Sequence, residues 1–385
     1  MSFDFEFAVV GAGGMGSAAA YYLAREGKSV VVIEQFEIGH IRGASHGENR
    51  IIRYSYEYQD YVKLAKESYR LWAEASAEIE LPLLTTTAGL DLGYPENGDF
   101  DKCIEMLTLE NVDHEILDRR EINNRFPQFN VEENVRGVYQ KDAGYLEPDV
   151  CVPAFLRLAQ NHGAVIKDNT VLDGINITDD FVDIQTDKEK IRVKKIILAL
   201  GPWASPMIEK LTGINIPISV TFEQYSFFTP KHPEQFEENK FPVFIVYVNP
   251  GEENLYGFPF FGDLGVKVAE HRAGAVTEAA TRTFTPDPDK IARLTKRAQK
   301  LFPDLTTEIT KTGTCLYSNT PDRHFIIDKL PRHDNVIVAA GFSGHGFKFV
   351  PLVGSILKDL AINGQTAQPI GMFQIQRFAS ASVRE

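Results

Sequence analysis

Short unbroken apolar runs alternate along this chain with longer stretches where apolar residues return every three or four positions. Phe7 to Val10 is the first such run, of strand length. Residues 15–26 follow, Ala-rich with Tyr21, Tyr22 and Leu23, and Gly27 stands where a helix would stop. Val30 to Ile33 is a second apolar run. Tyr61, Leu64, Ala65, Leu71, Trp72 and Ala75 keep a helical period over 61–79. Residues 150–162 and 285–302 also predict helices, the second opening on a Pro-Asp-Pro sequence. Ile196 to Leu200 predicts a buried strand, ended by Gly-Pro and followed by a helix. Over 216–262 apolar and polar positions alternate as in half-buried strands, with NPGEEN as a loop. Residues 85–95 predict a strand with a turn, and 101–140 a mixture of helix and loop. Residues 335–364 predict strand, glycine turn and helix, with Leu352, Val353, Ile356, Leu357 and Leu360 on one helical face.

The turn between the first strand and the first helix holds Gly11, Gly13 and Gly16 as G-x-G-x-x-G. The first glycine permits a tight turn, the second lets the backbone approach a pyrophosphate, and the third brings helix against strand. The helix start directs free N–H groups and a positive dipole end at the phosphates. Glu34 ends the second strand, placed to accept hydrogen bonds from a ribose hydroxyl, which favours FAD or NAD over NADP. An NAD enzyme would continue in regular βα units. Here the chain departs at Gln35 into a loop rich in Gly, His, Arg and Tyr, as in a flavoprotein. The fold class expected is α/β, in the α+β two-domain sense. A Rossmann-like FAD-binding domain would be assembled from 1–85, 146–219 and 313–385. An antiparallel-sheet substrate-binding domain would be inserted as 86–145 and 220–312.

Composition narrows the partners. Forty basic against 53 acidic residues give a formal charge of −13 with no basic block, so nucleic acid is not expected. Cys103, Cys151 and Cys315 are the only cysteines, too scattered for a disulfide framework and without a C-x-x-C pair, so no metal is expected. Reduced cysteines fit a reducing compartment. No basic region precedes a long apolar run at the start, and the end is not of the S-K-L type. No apolar segment reaches about 18 residues. The expectations are no membrane and a cytoplasmic location.

Several residues stand out chemically. Cys315 lies between a small-residue turn and a polar run, an odd place for a cysteine serving as a small hydrophobe. In SHGENRIIR, Arg50 and Arg53 would project to opposite sides of a strand-like path. Lys267 sits between apolar residues on a strand pattern, where an inward lysine is costly unless paired or functional. An outward strand lysine is the plain alternative. GFSGHGFKF places Gly341, Gly344 and Gly346 around His345, with Phe347 and Lys348 before a helix. Its N–H groups suit a negative charge, and its glycine spacing is not that of a phosphate loop.

Taken in order, GAGGMGSAAAYYLA, SHGENRIIR, YGFPFFGDLGVKVAEH, CLYSNTPDRHFIID and AAGFSGHGFKF resemble the monomeric sarcosine oxidase family, with its N-methyltryptophan and pipecolate oxidase relatives. The resemblance runs from about residue 5 to about residue 365. It implies FAD held through its 8α-methyl group as a thioether to Cys315, with Gly344, His345, Gly346, Phe347 and Lys348 also at the cofactor. It implies that Arg53 and Lys348 bind a substrate carboxylate, and that His46 and Arg50 lie near the flavin ring. Lys267 would be the oxygen-activating cation, His271 a substrate-side histidine, and Tyr256 and Phe258 pocket walls. The implied reaction oxidises the C–N bond of sarcosine or another N-methyl amino acid to an imine. Water then yields formaldehyde and the primary amino acid, while O2 becomes hydrogen peroxide. Family precedent implies a monomer. Two alternatives keep most of these motifs: an oxidase of cyclic imino acids such as L-pipecolate or L-proline, and a flavin dehydrogenase with another acceptor. Lys267 counts against the second. The tyrosine-rich stretch 54–61 suits either a lid or a polar surface loop, and Tyr247 a place near the entrance.

Overall fold

In the computed structural model, residues 2–95, 97–249 and 251–378 are described. The first apolar run becomes the strand Phe5–Val10, at the centre of a sheet. It lies parallel between Lys190–Leu198 and Val30–Ile33, and Val165–Lys167 extends the sheet beyond the latter. His333–Ala340 pairs in parallel with the last residues of Lys190–Leu198 and antiparallel with Ile326–Leu330. Leu172–Ile177 and Val182–Thr186 form an antiparallel extension on the first residues of Lys190–Leu198. Strands of a parallel sheet are covered on both faces, which is why these runs are apolar without alternation. Ala8, Val9 and all four residues of Val30–Ile33 are buried. The helices Gly14–Arg25, Pro148–Asn161 and Val350–Asn363 pack together over one face, and Gln59–Ile79 packs on the last of them.

The second sheet runs, in spatial order, Glu115–Leu117, Arg136–Gln140, Gly89–Gly93, Val243–Tyr247, Leu255–Phe261, Gly265–Glu270, Ser219–Pro230 and Leu305–Asn319, with Ala275–Thr277 beside the first residues of Ser219–Pro230. Its pairings are antiparallel except that between Val243–Tyr247 and Gly89–Gly93. One face carries Phe129, Phe236, Phe241, Phe244 and Phe302, with the Phe129 ring 4.8 Å from Phe302 and 5.1 Å from Phe241 between centroids. The helix Pro288–Leu301 closes that layer with Leu294, Ala298 and Leu301. The period of two then decides what faces the other way. Leu90 and Leu92 enter the phenylalanine layer, and Asp91 does not. Val266 and Val268 do, and Lys267 points opposite. A small third sheet, Arg50–Ile52 with Gly144–Leu146 and Leu84–Thr86, stands beside these residues. The architecture is the mixed α/β class expected.

The expected elements differ from those found where the signal is shortest. Within 101–140, Glu115–Leu117 and Arg136–Gln140 are strands too short for their alternation to register. The single strand expected at 85–95 breaks at Ala88, φ +59, into Leu84–Thr86 and Gly89–Gly93 in separate sheets. The helix expected from 285 starts at Pro288, because Asp287 caps it by accepting from the N–H groups of Asp289 and Lys290. Leu305–Asn319 runs unbroken through residue 312, where the sequence places a domain junction, because Ser219–Pro230 pairs along its length. The NPGEEN loop contains Pro250, which lies outside the described residues.

Candidate active site

Where the carboxyl ends of the parallel strands meet the second sheet there is a cavity of about 610 Å³. Gly11, Gly13, Gly14 and Glu34 line it from the nucleotide turn, and Arg50, Cys315, Tyr317, Gly344, Gly346 and Phe347 from other segments. The turn is a cradle. Gly11 has φ +100, and a Cβ there would lie 2.3 Å from the Ala199 carbonyl oxygen. A Cβ on Gly16 would lie 1.8 Å from the Gly11 carbonyl oxygen, so Gly16 serves helix–strand packing and stays outside the cavity. A Cβ on Gly13 would meet nothing nearer than Ser45 Oγ at 3.4 Å, leaving that backbone open to a ligand. Glu34 accepts from Ala12 N–H at 2.8 Å and Phe36 N–H at 3.1 Å, with His40 Nε2 at 3.4 Å. Burial works against its charge, but His40 and these N–H groups hold its carboxyl below the usual range. An ionised carboxylate keeps lone pairs free for a ribose hydroxyl. Cavity, open glycine and carboxylate together fit a dinucleotide.

Cys315, Leu316, Tyr317 and Ser318 of Leu305–Asn319 all line the cavity. Burial pushes the free Cys315 thiol up, and Arg50 pulls against it. The Arg50 guanidinium donates to the carbonyls of His46 at 2.7 Å, Asn49 at 2.9 Å and Ala44 at 3.2 Å. Its charge is oriented without being cancelled by a carboxylate. His46 does not line the cavity. Its ring is buried, and burial with the nearby Arg50 and Arg282 pushes it down to about 3, so it is neutral and acts on Arg50 through its carbonyl.

Lys267 is 1% exposed, so the inward placement is the one adopted. Its Nζ donates to Asn49 Oδ1 at 3.0 Å and Glu48 Oε2 at 3.3 Å, and sits 3.8 Å from the Tyr225 ring centroid. Burial and the Arg50 charge push Lys267 down to about 7. Burial opposes ionisation of Glu48, yet Lys267 and Lys311 hold it at about 2. Phe258, expected as a pocket wall, is fully buried and lies opposite Lys267 in the strand pairing, 5.3 Å from Nζ to centroid.

A second cluster adjoins the cavity. Lys348 Nζ donates to Tyr56 Oη and to the His345 carbonyl, both at 2.9 Å. His345 Nε2 is 3.1 Å from the Arg323 carbonyl, which can only accept, so Nε2 carries the proton and Nδ1 accepts from Tyr56 Oη at 3.2 Å. Burial and Lys348 hold that imidazole neutral, well below its usual range. Burial and Arg53 push Lys348 itself to about 7. His271 Nδ1 is 3.4 Å from Tyr317 Oη, which is 3.5 Å from Tyr256 Oη. Tyr317 thereby joins this cluster to the cavity. His345 and Lys348, expected at the cofactor, do not line the cavity: Gly344, Gly346 and Phe347 do, and the side chains of His345 and Lys348 turn to Tyr56.

Arg53, expected at the substrate carboxylate, has partners inside the protein. One guanidinium nitrogen meets Asp91 Oδ2 at 2.5 Å and another Tyr247 Oη at 2.9 Å. Asp91 is 4% exposed, and although burial favours the uncharged form, Asp91 keeps Arg53 firmly protonated. Tyr247, expected near the entrance, is buried here with Cys103 Sγ 3.7 Å from its hydroxyl. In the 54–61 stretch Tyr56 and Tyr61 are buried and stacked at 4.8 Å while Tyr58 is exposed, and the helix already begins at Gln59. Cys103 and Cys151 are buried, and burial pushes both thiols up to about 12.

Asp91, Tyr317, Tyr56, Glu48 and Asn49 were not foreseen. Asp91 carried a signal, an acid in the middle of the apolar strand GLDLG. Tyr317 follows Cys315 at the strand period, and Glu48 and Asn49 lie inside SHGENRIIR.

Among the described residues no helix is long and apolar enough to cross a membrane, and no group of three His, Cys, Asp or Glu residues is placed to hold a metal. Residues 6–360 match the family model described as DAO, FAD dependent oxidoreductase. The chain is 37% identical over 386 residues to a monomeric sarcosine oxidase of Streptomyces avermitilis, covering 99% of this chain and 100% of that one. It is 34% identical over 384 residues to a monomeric sarcosine oxidase of a Bacillus species, covering 98% of each. Among solved structures, L-proline dehydrogenase from P. horikoshii shares the fold with a TM-score of 0.85 at 24% identity, over 99% of both chains. With a dinucleotide cradle opening onto Cys315 and a family match over nearly its whole length, this chain belongs to the DAO family of FAD-dependent oxidoreductases.

Proposed function

We propose that the protein is an oxidase of secondary amino acids, sarcosine or another N-methyl amino acid, using FAD attached to Cys315. The observation that carries this reading is that Cys315 lines the same cavity as the glycine turn and Glu34. The similarity to monomeric sarcosine oxidases supports the substrate class. When bound, FAD supplies a two-electron acceptor that O2 can regenerate. Gly11, Gly13, Gly14 and Glu34 would hold its dinucleotide part, and Arg50, Gly344, Gly346 and Phe347 the remainder. The FAD-binding lobe would comprise 1–85, 146–219 and 313–385, the substrate lobe the rest.

On the substrate side, Lys348 would take the α-carboxylate, and Arg53, held by Asp91, would support it as a positioning residue. Tyr317, Tyr256 and His271 would form the wall that orients the amine and excludes water. His271 is held neutral by burial and by Arg272 and Lys348, so no strong general base is assigned, and the amine would bind unprotonated. Loss of two electrons and two protons converts the N-methyl amine to an imine, which water cleaves to formaldehyde and the primary amino acid. Oxygen takes up the electrons and two protons to give hydrogen peroxide, with buried Lys267 supplying positive charge to the reduction.

The test is an assay of oxygen uptake, peroxide and formaldehyde with sarcosine, N-methyltryptophan, L-pipecolate and L-proline. Equal peroxide and formaldehyde from an N-methyl amino acid is the expected result. Dye reduction without oxygen uptake would replace the oxidase by a dehydrogenase. In parallel, yellow flavin should precipitate with acid-denatured protein and stay in solution for Cys315→Ser.

A further inference from the structure

The arginine beside His271 has no role in the account so far. Arg272 has φ +64 and Arg323 φ +65, a left-handed backbone that costs a long side chain energy and clusters at ligand sites. Among the described residues, Arg272 makes one hydrogen bond, a long 3.5 Å contact from a guanidinium nitrogen to the Ser343 carbonyl, and its buried Nε has no partner. Among the described residues no carboxylate lies within ion-pair distance of it, Glu57 acting only from further off, in contrast to Arg53, whose charge Asp91 already offsets. Arg323 presents its side chain to solvent while its carbonyl holds His345. Arg323 is near enough to disfavour the charge on Arg272, and Arg272 also acts on His271, His345 and Tyr56. A guanidinium on a strained backbone, with an orphan buried N–H and His271, His345 and Tyr56 close by, is suited to take an anion.

We propose that Arg272, with Arg323 at the rim, binds a carboxylate on the substrate's side chain, so that the preferred substrate is an N-substituted amino acid with a second carboxylate. This rests on the oxidase reading for the word substrate, and Lys348 remains the anchor of the α-carboxylate. Two separated cationic anchors suit two carboxylates. A guanidinium suits the outer one because its planar fork binds both oxygens.

The experiment titrates the FAD-loaded protein calorimetrically with butyrate and with glutarate, unreactive acids bearing one and two carboxylates. Glutarate should bind roughly ten- to hundredfold more tightly, the value of one charge-assisted contact. Arg272→Gln should abolish that advantage and leave butyrate affinity unchanged. Arg272→Gly should abolish it too and raise the melting temperature, since glycine adopts positive φ without strain. A residue that merely supported the fold would lower the melting temperature instead. Equal affinity for the two acids in the parent protein, a preference surviving Arg272→Gln, or a parallel loss of butyrate binding would each overturn the proposal. Peroxide formation from sarcosine is read separately: peroxide without the glutarate preference removes the anion site alone, and the preference without peroxide from any secondary amine removes the oxidase alone.

Discussion

Lys267 and Lys348 are buried ammonium groups held at about 7, but their partners differ. Lys267 has a carboxylate, Glu48, at 3.3 Å, while Lys348 has only a hydroxyl and a carbonyl. Lys348 is therefore the one whose charge a substrate carboxylate would complete under the proposed function. Below about 7 it is protonated and attracts the carboxylate. As pH rises through about 7 the free protein loses that charge, so affinity for a simple carboxylate should fall by about tenfold per pH unit. The fall ends at the higher pKa of the complex, and titrations from pH 6 to 9 check it. Replacement of Lys267 by Met should slow reoxidation of reduced enzyme by O2 by roughly 10²–10³-fold. Anaerobic reduction by substrate should change far less, which stopped-flow measurement of the two half-reactions separates. At this scale the inward Lys267 was legible, as a lysine amid apolar alternation. The internal pairing of Arg53 was not, because Asp91 lies 38 positions further along the chain.

The nucleotide turn is legible as an element because its requirements are local. Strand, glycines, helix and acid follow one another within the first 34 residues. Gly16 and Gly13 nevertheless serve different ends, and alanine tells them apart. Gly16→Ala drives a methyl against the Gly11 carbonyl oxygen and should destabilise the fold by about 1–3 kcal/mol, seen in the melting temperature of the protein without FAD. Gly13→Ala finds ordinary contact with Ser45, so the melting temperature without FAD should hold while FAD retention falls. Equal effects at the two positions would deny them separate roles. Alternation in the second sheet was legible for Gly265–Glu270, where Val266, Lys267 and Val268 change faces in turn. It was not for Glu115–Leu117, a strand of only three residues defined by its partner Arg136–Gln140.

For the whole molecule, the active site exists only because distant segments meet. Residues 50–56, 267–272, 315–317 and 343–348 come from strands of two sheets and from segments that follow strands, and Tyr317 bridges them through His271 and Tyr256. Motif order announced that these segments belong together. Their junction was harder to foresee, since Ser219–Pro230 and Leu305–Asn319 carry one continuous ladder from the phenylalanine layer to Cys315. Cys315 and Tyr317 stand two residues apart on one strand, so the proposed flavin cavity and amine pocket would share Tyr317, and the central claim is that electrons pass between them from a secondary amine and on to oxygen. Mixing the FAD-loaded protein with sarcosine and other N-methyl amino acids without air, and following flavin absorbance, tests that claim directly. The account predicts bleaching of the yellow flavin, reversed on admitting air with release of hydrogen peroxide. Flavin that stays yellow with every secondary amino acid, or bleaches but recovers only with a dye, would contradict it.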